Sequence, residues 1–190
     1  MKKSGIFIIG AKGVGKTKRI KEFLEDKEYL IAYLSAKEAA IMVDEQFGNE
    51  IINTAKADFY KNEANQILVQ QVLFQYFESK MQPCFIYDGH IVHEDDNEYH
   101  PISIDLKNCK SINAIIMIRA ESEKILENRL NDTEKQRPLR TSSQIDLIQA
   151  MNLEQGRLLA SNAGLPFYTI DTDDRRSFST IVLNHLRKDN

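Results

Sequence analysis

Five short runs of consecutive apolar residues recur along this chain, and they restrict its fold more than any other feature. The runs are Ile6–Ile9, Tyr29–Leu34, Cys84–Tyr87, Ala114–Ile118 and Phe167–Ile170. A strand that is apolar at every position, rather than at alternate positions, is typical of a parallel sheet covered by helices on both faces. The sequence therefore predicts an α/β fold with a five-stranded parallel sheet and helices in the intervening segments.

The segments between these runs carry helical signals. Apolar residues recur at steps of three and four in one of them, at Ala64, Ile67, Leu68 and Val72. Ser35–Glu38 and Thr141–Gln144 both match the capping box, in which a hydroxyl and a later carboxyl or amide side chain cap a helix N-terminus. These two segments are thus predicted to begin helices.

Composition favours one soluble domain spanning residues 1–190. The chain is 42% apolar with a net charge of −3 and no basic run, so neither nucleic acid nor an anionic membrane is an expected partner. No apolar stretch approaches the length needed to cross a bilayer. Cys84 and Cys109 lie far apart and match no metal-binding spacing, which favours a reducing compartment and a cytoplasmic location.

The segment Gly10-Ala11-Lys12-Gly13-Val14-Gly15-Lys16-Thr17 matches the pattern G-x-x-x-x-G-K-[ST] completely, between a predicted strand and a predicted helix at 18–25. The glycines allow backbone N–H groups to converge on one anion, and the helix N-terminus adds its dipole. Lys16 supplies a full charge for the β- and γ-phosphates, and the Thr17 hydroxyl is a hard oxygen ligand for Mg²⁺. All eight residues are therefore predicted to bind a nucleotide, the alternative being a glycine-rich turn without a ligand.

Asp88 ends the third apolar run, at Phe85-Ile86-Tyr87-Asp88. A carboxylate at the end of a buried strand beside a phosphate loop can hold Mg²⁺ or a water bound to it. We expect Asp88 to serve the metal together with Thr17; the alternative is a side chain that caps the turn before Gly89.

Three arginines lie at the start of, or within, a polar segment between two predicted helices. They are Arg129, Arg137 and Arg140, and residues 131–142 form a candidate lid. Arginine charge stabilises a phosphoryl group in transfer, and a polar segment can close over a nucleotide and exclude water. An ordinary charged loop is the alternative.

With these motifs the chain resembles the nucleoside monophosphate kinase-like P-loop proteins over nearly its whole length, and most of all the short archaeal-type adenylate kinases. The resemblance rests on Gly10–Thr17, Asp88-Gly89-His90, Arg129–Arg140 and Ile148–Asn152, the last being similar to the H-Q-x-x-N stretch of that family. Arg137-Pro138-Leu139 is also similar to the lid motif of shikimate kinases.

This resemblance implies the strand order 2-3-1-4-5, with ATP and Mg²⁺ as cofactors. It implies that Lys16 and Arg137 act on the transferred phosphate, that Arg140 belongs to the lid, that Arg129 lies against the adenine and that Asp88 lies near the metal. The implied activity is that of a kinase transferring phosphate to a small acceptor, most simply a nucleoside monophosphate.

The acceptor side, predicted at residues 35–80 with Asp88–His100, departs from this family. No arginine occurs between Ser35 and Phe85, so Lys56 and Lys61 are the nearest candidates to grip an acceptor phosphate. The loop after Asp88 is acidic at Glu94, Asp95, Asp96 and Glu98, and these carboxylates would repel an anionic acceptor. An ATP-binding regulatory module or slow ATPase is therefore the alternative function.

Three histidines, His90, His93 and His100, fall in the same loop. Their spacing matches no known set of metal ligands, so we expect a solvated specificity loop in preference to a metal site.

Overall fold

The computed structural model describes residues 3–25, 27, 30–36, 38–39, 41–42, 62–94, 98–106, 109–132 and 140–186. The strands are β1 (Ser4–Ile9), β2 (Ile31–Ser35), β3 (Cys84–Asp88), β4 (Val92–Glu94), β5 (Tyr99–Pro101), β6 (Ile112–Arg119) and β7 (Phe167–Asp171). The helices are α1 (Lys16–Leu24), α2 (Glu63–Ser79), α3 (Ser122–Leu130), α4 (Ser142–Ala163) and α5 (Arg175–Leu186).

Five parallel strands form the central sheet in the order β2-β3-β1-β6-β7. Counted without the small β4–β5 pair, this is the predicted order 2-3-1-4-5, and the predicted α/β fold class is confirmed. Because β1 and β3 are neighbours with Ile8 opposite Asp88, the residues that follow Ile9 emerge beside Asp88 at the carboxyl edge. The fold thus brings the P-loop and the predicted metal residue to one place.

Burial on both faces explains why the strands are apolar throughout. Phe7 and Ile9 belong to a core with α2 and part of α4, whereas Ile6 and Ile8 belong to a second core with α1 and α5. All four side chains are fully buried, and each such burial contributes about 1.5–3 kcal/mol to folding. The resulting rigid sheet fixes the starting point of the P-loop.

Both predicted capping boxes are present. Thr141 Oγ1 accepts from the backbone N–H of Gln144, whose side chain accepts from the N–H of Thr141. Ser35 and Glu38 make the same reciprocal pair of bonds. Helix α4 therefore begins at the end of the candidate lid.

The stretch Asp88–His100, predicted as irregular, instead contains an antiparallel ribbon of β4 and β5. Val92 pairs with Pro101, His93 with His100, and Glu94 with Tyr99. The ribbon holds Glu94 at a buried position, 3% exposed.

After the ribbon, residues 102–106 have no regular secondary structure but are held by two buried glutamines of α2. Gln66 Oε1 accepts from the Ser103 N–H at 2.7 Å, Gln70 Nε2 donates to the Ser103 carbonyl at 2.6 Å, and Gln70 Oε1 accepts from the Asp105 N–H at 2.9 Å. This segment and helices α2 and α4 line a partly open cavity of about 340 Å³.

None of the helices within the described ranges combines the length and the apolar character that a bilayer crossing requires.

Candidate functional site

The P-loop joins β1 to α1 through backbone conformations that favour glycine. Gly13 and Gly15 have φ values of +87° and +97°. A Cβ at Gly13 would lie 2.9 Å from Arg129 Cγ, and one at Gly15 would lie 2.9 Å from Thr172 Oγ1. The loop is therefore packed between α3 on one side and the β7–α5 connection on the other.

Side chains of α3 hold two carbonyl groups of this loop. Arg129 Nε donates to the Lys12 carbonyl at 3.0 Å, and Asn128 Nδ2 donates to the Gly13 carbonyl at 2.9 Å. A peptide unit whose carbonyl is fixed on one side directs its N–H group to the other side. These contacts support the cradle that a phosphate group requires.

Lys16 begins α1 and is only 5% exposed. Its Nζ donates to the carbonyls of Gly10 and Ala11, at 2.8 and 3.2 Å, so the ammonium lies against the loop itself. Gly15, the N-cap residue of α1, has no side chain that could cap the first turn. The helix N-terminus and Lys16 together present donors and positive charge, as an anion site needs.

Thr17 and Asp88 meet as predicted from their places at the sheet edge. Thr17 Oγ1 donates to Asp88 Oδ2 at 2.8 Å, and Asp88 is 5% exposed. A hydroxyl and a carboxylate in contact beside a phosphate loop fit Mg²⁺, which takes a few oxygen ligands from protein and keeps several waters. Their role as metal ligands stays a prediction.

Sequence reasoning missed Tyr33, which also reaches Asp88. Its hydroxyl donates to Asp88 Oδ2 at 3.4 Å from β2. Burial, and then the charge of Asp88, raise the pKa of Tyr33 well above its usual value, so the phenol stays a neutral donor. The only available signal was its position in the second apolar run, two residues before the end of β2.

The acidic loop requires a correction, because Glu94 is not exposed to an incoming acceptor. Its carboxylate forms two bonds with Arg129, Oε1 to Nη1 at 2.7 Å and Oε2 to Nη2 at 2.9 Å, and both side chains are at most 1% exposed. Arg140 Nε donates to the same carboxylate at 3.2 Å, and its guanidinium lies over the ring of Tyr99. Glu94 is therefore neutralised by two of the arginines predicted to serve ATP.

The contact of Arg129 with adenine thus stays a prediction, and in this structure its guanidinium faces Glu94. Arg137, the third predicted arginine, lies outside the described residues, as do Lys56, Lys61, Asp95 and Asp96.

The histidines His93 and His100 face each other across the ribbon, and His100 Nε2 lies 2.9 Å from Glu98 Oε2. In the part of the chain that the structure describes, no three or more His, Cys, Asp or Glu side chains are grouped to hold a metal.

Three solved structures are similar over nearly the whole chain. Shikimate kinase from Bacteroides thetaiotaomicron has a TM-score of 0.55 at 14% identity, covering 95% of this chain and 97% of its own. TT1252 from Thermus thermophilus has a TM-score of 0.56 at 9% identity, and the match covers 97% of this chain and 98% of TT1252. An uncharacterized protein from Eubacterium ventriosum has a TM-score of 0.50 at 11% identity, and the match covers 99% of this chain and 100% of that protein. At these identities the likeness concerns the fold.

No curated protein matches this chain in sequence. The sequence model described as "AAA domain" matches residues 9–146, which include the P-loop, Asp88, the ribbon and the start of α4. Since this match spans well over half of the 190 residues, the chain belongs to the AAA domain family of P-loop proteins.

Proposed function

We propose that this protein catalyses Mg·ATP-dependent phosphoryl transfer to a small acceptor, with a nucleoside monophosphate as the first candidate. The observation that carries the proposal is the 2.8 Å contact between Thr17 and Asp88 beside Lys16 and the P-loop. This arrangement supplies a phosphate cradle, a cation and an oxygen donor set for Mg²⁺ at one edge of the sheet.

The residues of the site act by binding and orientation, and no covalent intermediate is required. The P-loop N–H groups and Lys16 hold the phosphates of ATP, and Thr17 and Asp88 hold the metal. When bound, Mg²⁺ neutralises charge on the phosphate oxygens. Tyr33 orients Asp88 through its hydroxyl, and Arg137 would reach the transferred group from the lid.

The acceptor is proposed to bind between residues 35–61 and the stretch Asp88–His100. Pairing of Glu94 with Arg129 and Arg140 removes one carboxylate that would oppose an anionic acceptor. Lys56 and Lys61 are proposed to contact the acceptor phosphate, as the nearest cations in a region without arginine.

One observation favours the second candidate, a regulatory module or slow ATPase. Arg129 and Arg140 are both engaged by Glu94, and the Arg129 side chain is 0% exposed. If they remain engaged with ATP bound, fewer arginines are left to stabilise the transferred phosphoryl group.

The decisive assay is the release of ADP from Mg·ATP, alone and with AMP, CMP, GMP, UMP or shikimate. Stimulation by one acceptor, with formation of the phosphorylated product, supports the kinase. Slow release that no acceptor stimulates supports the ATPase, and a protein that binds no ATP contradicts both. The Lys16→Ala variant, purified in parallel, controls for contaminating kinases.

Arg137→Lys tests the lid. A lysine keeps the charge but loses the planar paired donors of arginine, so kcat should fall by more than about tenfold, or about 1.4 kcal/mol, with little change in ATP affinity. Arg140→Lys, next to the helix cap at Thr141, should be milder. Steady-state kinetics check both, and a wild-type kcat in Arg137→Lys with chemistry rate-limiting would remove Arg137 from the mechanism.

A further inference from the structure

Glu94 is connected to the P-loop through both its backbone and its side chain. Its carbonyl accepts from Lys12 Nζ at 2.9 Å, and its carboxylate binds Arg129, whose Nε donates to the Lys12 carbonyl. A residue from the β4–β5 ribbon, more than 75 positions after the P-loop, therefore holds Lys12 at both its side chain and its backbone.

The geometry of the carboxylate–guanidinium pair makes this connection directional. Two parallel bonds, at 2.7 and 2.9 Å, fix the plane of the Arg129 guanidinium. That plane sets the direction of the Nε–H group toward the Lys12 carbonyl, and Arg129 Cγ packs 2.9 Å from where a Cβ of Gly13 would lie. The orientation of the loop's peptide units thus depends on the orientation of the guanidinium.

We propose that Glu94 is a positioning residue for the phosphate loop, acting through Arg129. Without the carboxylate, the guanidinium would lose the two bonds that fix its plane and would turn, releasing the Lys12 carbonyl. The N–H group of Gly13, which shares a peptide unit with the Lys12 carbonyl, would then lose the direction on which phosphate binding depends.

The same carboxylate joins the end of the candidate lid to this support. Arg140 lies 3.2 Å from Glu94 Oε1 and over Tyr99, the residue opposite Glu94 in the ribbon. Arg129, which precedes the lid segment, and Arg140, near its end, are therefore both anchored on Glu94.

The test compares two substitutions of the same kind. Glu94→Gln removes the buried charge and keeps the shape, whereas Glu154→Gln removes an exposed carboxylate on α4, outside the proposed nucleotide and acceptor sites. Each variant is examined for thermal unfolding, for Mg·ATP affinity by calorimetry, and for hydrogen–deuterium exchange of the peptide containing residues 10–17.

We expect Glu94→Gln to raise the Kd for Mg·ATP about tenfold and to speed exchange of the P-loop amides, whereas Glu154→Gln should change neither quantity. In an Arg129→Met background, Glu94→Gln should have no further effect on the Kd, because the residue it acts through is gone. A folded Glu94→Gln protein with wild-type Kd and exchange overturns the proposal, and so does an undiminished effect of Glu94→Gln in the Arg129→Met background.

The affinity measurement rests on the proposed function, whereas the exchange measurement does not. If the wild type binds no Mg·ATP, the proposed function fails, and faster or unchanged exchange in Glu94→Gln still decides the positioning role. If Glu94→Gln does not fold, the pair Glu94→Leu with Arg129→Met removes both charges together. This double variant should fold and still show a faster-exchanging P-loop; wild-type exchange would overturn the proposal.

Discussion

Lys16 is the residue on which nucleotide binding should depend most. Its side chain is buried, and its Nζ donates to the Gly10 carbonyl oxygen at 2.8 Å, so its charge is held at the loop. Lys16→Ala should leave the fold intact and weaken ATP binding by about ten- to a hundredfold, since a charge-assisted bond contributes roughly 1.5–3 kcal/mol. Calorimetric titration checks this, and unchanged affinity in the folded variant would contradict the P-loop assignment.

Asp88 should determine the requirement for metal. Asp88→Asn keeps an oxygen near Thr17 but removes the negative charge that attracts Mg²⁺. We expect the variant to need about tenfold or more Mg²⁺ for half-maximal activity with ATP. Glu154→Gln, a loss of charge at an exposed position of α4, should need no more Mg²⁺ than the wild type. A magnesium titration of activity is the measurement, and activity that persists in excess chelator would count against a metal at this position.

For individual residues, the sequence could identify the members of one motif but not their partners elsewhere in the fold. Thr17 and Asp88 were predicted together because each follows from a local pattern and the parallel sheet places their strands side by side. Glu94 and Arg129 are 35 positions apart, and neither has a motif that names the other. Their charges alone predicted repulsion of an acceptor and attraction to a nucleotide, whereas the fold pairs them.

The P-loop as an element depends on Gly13, which combines a φ of +87° with close contact to Arg129 Cγ. Gly13→Ala introduces both backbone strain and a clash, about 1–3 kcal/mol, and should lower ATP affinity by about tenfold or more. Gly164→Ala is the matched control. Gly164, the C-cap residue of α4, also has a positive φ, at +65°, but a Cβ there would meet nothing within 4 Å. It should lose stability and keep its ATP affinity; equal losses of affinity in both would contradict this account.

The bounds of the elements followed from the sequence where apolar runs or caps defined them. Each of the five sheet strands begins and ends within two residues of its predicted run, and the Thr141 cap begins α4 as expected. The β4–β5 ribbon was missed because Val92-His93-Glu94 has a single apolar residue and is too short to show alternation. The ribbon is held by tertiary contacts that Glu94 and Tyr99 make with arginines, and such contacts leave no local pattern in the sequence.

For the whole molecule, the buried thiol of Cys109 predicts how stability changes in alkali. Burial raises its pKa from the ordinary value of 9.0 to about 11. As pH rises from 9 to 11 the unfolded chain loses this proton and the folded chain keeps it, so the free energy of unfolding falls, by on the order of 2 kcal/mol. Urea unfolding at pH 8 to 11 should show a smaller decline in Cys109→Ala; identical declines would contradict the prediction.

The strand order illustrates what the whole chain encodes only indirectly. Continuous apolar runs predict a covered parallel sheet, yet they do not say that β3 lies between β2 and β1. The strand order was predicted only because the P-loop, Asp88 and the arginine segment resemble those of known kinases. Its physical cause lies in which helices fit each face of the sheet, a property of packed shapes that is distributed over many residues.

The hold that Gln66 and Gln70 keep on residues 103 and 105 has an evolutionary consequence. The two amide side chains bind peptide groups, so they impose no requirement on which side chains stand at Ser103 and Asp105. Those same two residues line the cavity between α2 and α4. Mutation can therefore change the side chains that line this cavity while the glutamines keep the backbone in place. In this way one backbone can acquire new ligand preferences.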